Sequence, residues 1–117
     1  MNLKQIAEAL ALENLTPDIA VDASAEISGG YTSDLLSDVI AHAPHGGILV
    51  TIQVHLNVIA VAVHAELACV IFASDRRPEE AVRKRAIEEG VALFVSKESA
   101  FDVSGRLYTL GLRGTHE

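Results

Sequence analysis

The feature that most constrains this chain is the alternation, in its second half, of short apolar runs with segments of helical length. The apolar runs contain four or five residues each and lie at positions 48–52, 69–72 and 91–95. The helical segments are about a dozen residues long and lie at positions 56–67, 78–89 and 99–110. Strands that are short and wholly apolar are typical of a parallel sheet covered on both faces. The pattern therefore predicts an α/β fold with three layers and a mainly parallel sheet built from βα units.

The first half of the chain has a less regular pattern. It predicts a helix capped by Asn2 and ending near residue 12, a strand over 19–23, a weaker strand over 25–31 and a helix over 35–42. A chain of 117 residues has room for one core. We therefore expect a single domain over residues 1–112 and a flexible tail over residues 113–117.

Composition and charge exclude several classes of function. The net charge is −7 and there is no tryptophan, so electrostatic attraction to nucleic acid and stacking on bases are both disfavoured. Polar residues interrupt the apolar stretch over 48–72, which argues against a membrane span. The N-terminus lacks the pattern of a signal peptide, and the single cysteine, Cys69, cannot form an internal disulfide. We expect a cytoplasmic protein with no nucleic-acid or membrane partner.

The predicted helix over residues 56–67 is unusual because almost none of its sides is polar. Val58, Ile59, Val61 and Val63 leave little surface suited to water. A helix that is apolar all round must be covered on more than one side. In a domain this small, the pattern predicts that a second subunit covers it, in a two-fold homodimer formed through this helix.

Ligands of open α/β sheets bind beyond the carboxyl ends of the parallel strands. The first of these ends is the most suggestive, because the polar residues Thr51, Gln53, His55 and Asn57 alternate with apolar ones at a strand-to-helix junction. Such a junction suits a small anion. The alternative is that Asn57 or His55 only satisfies the unpaired backbone N–H groups at the start of the following helix.

A second polar cluster contains Asp34, Ser37 and Asp38, close to the glycine pair at positions 29–30. Two carboxylates four residues apart on one helix face suit a hard cation, although an exposed helix face explains them equally well. The histidines at 42, 45 and 55 are too dispersed to predict a metal site. The chain contains no P-loop and no recognisable nucleophile motif. We therefore predict no metal, no cofactor and no catalytic residue.

Several blocks of the sequence resemble the DRTGG domain family. They are GGYTSDLLSDVI at 29–40, TIQVH at 51–55, NVIAVA at 57–62, RPEE at 77–80, GVALFV at 90–95 and GRLYTLGL at 105–112. The resemblance implies an α/β domain similar to the N-terminal domains of HPr kinase/phosphorylase and of Mur ligases. It also implies a regulatory or dimer-forming module, without the kinase domain. The chain departs from the family where Asp22 is followed by Ala23, since an Asp-Arg pair is expected there.

Three functions follow as hypotheses. The first is a non-catalytic regulatory module that forms a homodimer, senses a small anionic metabolite or nucleotide and reports to a protein partner. Its ligand would lie at the junction over residues 51–57, with Asp34 and Ser37 nearby. The second is a small enzyme in which His55 acts as general base. The third is a purely structural dimerisation domain.

Overall fold

The computed structural model describes residues 1–21 and 24–114, which contain five helices and five strands. The helices are α1 (Leu3–Ala9), α2 (Leu36–His42), α3 (Asn57–His64), α4 (Glu80–Glu89) and α5 (Ala100–Thr109). The strands are β1 (Glu13–Asn14), β2 (Gly30–Thr32), β3 (Ile48–Thr51), β4 (Cys69–Phe72) and β5 (Ala92–Val95). All the βα units predicted in the second half are present, with bounds that differ by three residues or fewer.

The five strands form one sheet in the order β1-β5-β4-β3-β2. β2, β3, β4 and β5 are parallel, whereas β1 pairs antiparallel with β5. Every residue of β3, β4 and β5 is buried, as expected for strands with helices on both faces. The predicted fold class, a mainly parallel sheet built from βα units, is confirmed.

Helices cover both faces of the sheet and so form the three predicted layers. Successive residues of a strand point to opposite faces, so Ile48 and Val50 pack with α1 and α5 while Leu49 packs with α2, α3 and α4. α2, α3 and α4 share a face because each connects a parallel strand to its next neighbour, and such crossovers have one hand. α5 follows the last strand and returns over the opposite face.

α3 lies between α2 and α4 on its face of the sheet, and its buried residues belong to the same core cluster as theirs. Val58, Ile59, Val61 and Ala62 are buried within the chain itself. These four residues therefore do not need the predicted second subunit to cover them, because the sheet and the two neighbouring helices cover them. The homodimer itself stays a prediction. An exposed apolar stripe remains, and it contains Leu56, Ala60 and Val63.

The N-terminal segment differs most from its prediction. α1 has the predicted capping box between Asn2 and Gln5, but it ends at Ala9 rather than near residue 12. The chain then forms β1, which no pattern predicted, and buried Thr16 fixes the turn that follows by accepting a hydrogen bond from Leu93 N at 3.0 Å. Of the strand predicted over 19–23, residues 19–21 form no strand, and residues 22 and 23 lie outside the described residues.

The C-terminal segment runs beside β2, at the edge of the sheet. Gly30 N donates to Arg113 O at 3.0 Å, and the Arg113 guanidinium stacks on the Tyr108 ring. A side chain at Gly29 would clash with Arg113 O, which explains the glycine there. Of the predicted tail over 113–117, residues 115–117 lie outside the described residues.

Cys69 is fully buried in β4, and burial raises the pKa of its thiol above the usual value.

None of the helices in the described part of the chain has the length and apolar character that a membrane crossing requires.

Candidate functional site

The ends of β2 and β3 bring two of the predicted site residues together. Asp34 follows β2, and its Oδ1 accepts hydrogen bonds from Thr51 Oγ1 and from Ile52 N, both at 2.8 Å. Thr51 is fully buried at the end of β3. Since Asp34 precedes α2, it does not share a helix face with Asp38, and its carboxylate joins two strand ends.

The remaining polar residues of the junction bond to the backbone in a regular series. Thr51 Oγ1 accepts from Gln53 N at 3.0 Å, and Gln53 Oε1 accepts from His55 N at 3.1 Å. His55 Nδ1 then accepts from Asn57 N at 3.0 Å. Each side chain thus satisfies the N–H group two residues ahead. Of these three bonds, the one from Asn57 N to His55 lies at the start of α3, which is the role that the alternative gave to His55. We call residues 51–57 the β3 corner.

The last bond of this series determines how the proton of His55 is placed. An imidazole nitrogen that accepts an N–H carries no proton, so neutral His55 holds its proton on Nε2. His55 is exposed, and its Nε2–H is directed away from that bond as a donor. A general base needs an unprotonated nitrogen facing its substrate, which His55 offers only by giving up the bond to Asn57 N. A hydrogen bond to an anion requires no such change.

The second predicted cluster is divided between different partners. Asp38 accepts from the Tyr31 hydroxyl at 2.8 Å and approaches His42 Nδ1 at 3.1 Å. The Tyr31 hydroxyl, followed by Ser33, lowers the pKa of Asp38, and the same bond raises the pKa of Tyr31. Ser37 is exposed on α2. The i,i+4 spacing of Asp38 and His42 predicts that the two side chains meet on one face of a helix. The hydrogen bond between Tyr31 in β2 and Asp38 has no such signal in the sequence and is recognised only in the structure.

A third polar group lies at the carboxyl ends of β4 and β5, and sequence reasoning did not select it. Arg77 donates to both carboxylate oxygens of Glu13, at 2.9 and 2.7 Å, and also to Asp75 Oδ1. The Arg77 guanidinium lowers the pKa of Glu13, and Lys97 adds to this effect. Glu13 is 64 residues from Arg77 and reaches it only because β1 pairs with β5.

Two more cations complete this group. Arg106 on α5 donates to Glu98 Oε2 at 2.7 Å and to Ala9 O at 2.8 Å. Lys97 is exposed and makes no hydrogen bond or ion pair within residues 1–21 and 24–114. Arg77, Lys97 and Arg106 line a cleft of about 320 Å³. We call this cleft the β4–β5 crevice.

The described residues contain no group of three or more histidine, cysteine, aspartate or glutamate side chains arranged to hold a metal ion. What the carboxyl edge of the sheet offers is hydrogen-bond donors and cations. The donors are at the β3 corner and the cations are in the β4–β5 crevice.

Comparison with models of protein families and with characterised protein sequences gives no match for this chain. Comparison of structures shows similarity to the CBS and DRTGG domains of the regulatory region of Clostridium perfringens pyrophosphatase, solved with its activator diadenosine tetraphosphate. The TM-score is 0.68 at 12% sequence identity, over 96% of this chain and 47% of that one. This chain therefore spans about half the length of the solved chain.

At this level of identity the similarity concerns the fold. The sequence blocks that resemble the DRTGG family and the solved structure point to a related domain fold. Membership of the DRTGG family stays a prediction.

Proposed function

We propose that the protein is a non-catalytic regulatory module that binds a small anionic metabolite or nucleotide and couples binding to self-association. The ligand site is the carboxyl edge of the parallel sheet, where Thr51, Gln53, His55, Asn57, Asp34 and Ser37 are the contact residues predicted from the sequence. One observation carries the proposal: α3 begins at the β3 corner and presents an exposed apolar stripe along its length.

The ligand half of the proposal rests on the donors at the β3 corner. The Nε2–H of His55 is exposed and available to an anion, as its Nδ1 is occupied by Asn57 N. The Asn57 side chain makes no hydrogen bond within the described part of the chain. A ligand that binds His55 or Asn57 would therefore contact the residues at which α3 begins.

The association half rests on the groove between α3 and α4. Leu56 and Val63 are each 43% exposed, and Ala60 lies between them on the same side of the helix. A two-fold axis across Ala60 would set Leu56 of one copy against Val63 of the other, with the small alanine allowing close approach. The other wall carries Arg85 and Glu89, which form an ion pair with each other at 3.1 Å. In such an antiparallel pairing, each would also face the opposite charge of the second copy.

The structural comparison supports a regulatory role rather than an enzymatic one. The similar solved domains belong to the regulatory region of a pyrophosphatase and were crystallised with a nucleotide activator. A role for His55 as general base would cost the bond that its Nδ1 makes at the start of α3. Our proposal includes a cytoplasmic location and a protein partner that receives the signal.

The ligand half is tested by thermal denaturation in the presence of AMP, ADP, ATP and acetyl phosphate at millimolar concentration. Because a ligand that binds only the folded state stabilises it, at least one of these compounds should raise the melting temperature. If none does, the sensing role is wrong.

The association half is tested by sedimentation equilibrium on the wild type and on Val63→Glu. The wild type should be a dimer at high micromolar concentration, and the charged variant should be a monomer because it places a carboxylate in the apolar stripe. Phe101→Glu is the matched control, since Phe101 is 87% exposed on the opposite face and its loss should leave the dimer intact. A monomeric wild type would contradict the proposal, whereas a dimer without any ligand response would favour the structural dimerisation domain.

A further inference from the structure

The β4–β5 crevice lies between two neighbouring strands whose following helices pack on opposite faces of the sheet. β4 is followed by α4 on one face of the sheet, and β5 is followed by α5 on the other face. Among the parallel strands that the structure describes, β4 and β5 are the one neighbouring pair with this divergence. In open α/β sheets, ligands bind in the crevice outside the carboxyl ends of such a pair.

The two loops that border the crevice are held together by backbone hydrogen bonds. Ser74 N donates to Glu98 O at 2.7 Å, and Asp75 N donates to Ser96 O at 2.8 Å. Both Ser74 and Asp75 have positive φ angles, 58° and 55°, which non-glycine residues seldom adopt. These hydrogen bonds therefore hold the loop in a locally strained conformation. The same conformation sets the backbone position from which the Arg77 side chain extends.

The crevice also concentrates the positive charge of an acidic protein. Its lining contains three of the nine lysine and arginine side chains together with the carboxylates of Glu13 and Glu98, although the net charge of the chain is −7. Arg77 and Arg106 are paired with carboxylates, whereas Lys97 is unpaired within the described residues. The three cations come from different elements, so only the folded chain brings them together.

From this geometry we propose that the β4–β5 crevice binds the phosphate groups of a small molecule that carries a diphosphate. The inference rests on the proposed ligand-sensing function and names the ligand class and the part of the sheet edge that holds it. Lys97 supplies an unpaired ammonium group, and Arg77 and Arg106 supply guanidinium groups whose planar geometry matches phosphate as well as carboxylate.

The bound phosphate would replace Glu13 at Arg77. The Glu13 side chain is 54% exposed and belongs to a two-residue edge strand, so it can move into water at small cost. Its two bonds to Arg77 are the bidentate geometry that a phosphate group can reproduce. Glu13 therefore acts as a competitor of the ligand, and removing its charge should strengthen binding.

The test measures the dissociation constants of inorganic pyrophosphate and of ADP by isothermal titration calorimetry at low salt. Lys97→Gln should weaken both about tenfold, since it removes one charge-assisted contact without breaking any protein hydrogen bond. Glu13→Gln should tighten both about threefold, because the neutral amide competes less well for Arg77. The matched control is Lys84→Gln, an equal charge change on the exposed side of α4, which should alter binding by less than about twofold.

Equal weakening by Lys97→Gln and Lys84→Gln would overturn the site while leaving a ligand-sensing function intact, because it would indicate only a general effect of charge. Absence of pyrophosphate and ADP binding to the wild type would overturn the site as well, and the thermal screen of the other compounds then decides the broader function separately. Similar affinities for pyrophosphate and ADP would support a site that recognises phosphate alone. Tighter binding of ADP would support a site that also contacts the nucleoside.

Discussion

The β3 corner and the β4–β5 crevice lie along one edge of one sheet, yet their polar groups are arranged differently. In the β3 corner, side chains bond to backbone N–H groups two residues ahead, so the segment satisfies itself. In the β4–β5 crevice, Arg77 bonds to Glu13, which is 64 residues away. Arg106 bonds to Glu98, eight residues away, and to Ala9 O, 97 residues away. In the β3 corner the polar side chains mainly order the local backbone, whereas in the crevice the two arginines are paired and the ammonium group of Lys97 is left unpaired within the described residues.

The distribution of charge follows the same division. No lysine or arginine occurs between Lys4 and Arg76, so the β3 corner contains neither residue type. The later part of the chain supplies all the cations of the crevice. Of the two regions, the crevice is therefore the one that offers cations to an anionic ligand, beside the carboxylates of Glu13 and Glu98.

The largest effect that separates the two regions should be on stability. Thr51→Val removes a buried hydroxyl that donates to Asp34 and accepts from Gln53 N, and should lower the free energy of unfolding by about 2 kcal/mol. Ser96→Ala is the matched variant in the crevice, because its buried hydroxyl accepts one bond, from Glu98 N, and should cost about 1 kcal/mol. Urea unfolding measures both, and a larger loss for Ser96→Ala would contradict the structural role given to the corner.

A smaller effect is expected from the cap at the start of α3. His55→Ala should lower the free energy of unfolding by about 1 kcal/mol, because Asn57 N loses its acceptor. His55→Asn should restore most of the loss, since an asparagine side chain can also accept a bond from an N–H two residues ahead. If both variants are as stable as the wild type, the bond to His55 Nδ1 contributes nothing and the histidine is free for another role.

The pH dependence of the crevice should be the smallest of these effects. In the folded protein the pKa of Glu13 is lowered below 4.5, chiefly by Arg77. The resulting stabilisation is present above that value and is lost as the pH falls through the folded pKa. Arg77→Gln should bring the pKa of Glu13 back toward 4.5, which NMR titration of the carboxyl group measures. Lys97→Gln should raise it less, since Lys97 acts only through its charge; the reverse order would contradict the pairing.

Much of the architecture could be predicted, because the elements concerned have local signals. The apolar run over 69–72 became β4 with the same bounds, and Asn2 with Gln5 formed the expected capping box. β1 could not be predicted, because Glu13 and Asn14 are exposed and hold their place only through pairing with β5.

The candidate site likewise has one part that the sequence could predict and one part that it could not. The bonds of the β3 corner follow from a spacing of two residues, which the sequence displays directly. The β4–β5 crevice depends on where β1 and α5 lie, so the Glu13–Arg77 pair has no local signal. The burial of α3 could not be predicted for a related reason. A helix that lies between two others on a sheet is buried by those neighbours, and its own sequence does not show where they lie.

The most direct test of this account is an NMR titration of the isotope-labelled wild-type protein with pyrophosphate. We predict that the largest amide shift changes fall in residues 74–77 and 96–98, where the two loops border the cations, and that smaller changes extend to residues 51–57, where the contact residues predicted from the sequence lie. Changes confined to residues 51–57, with the crevice unaltered, would contradict the account.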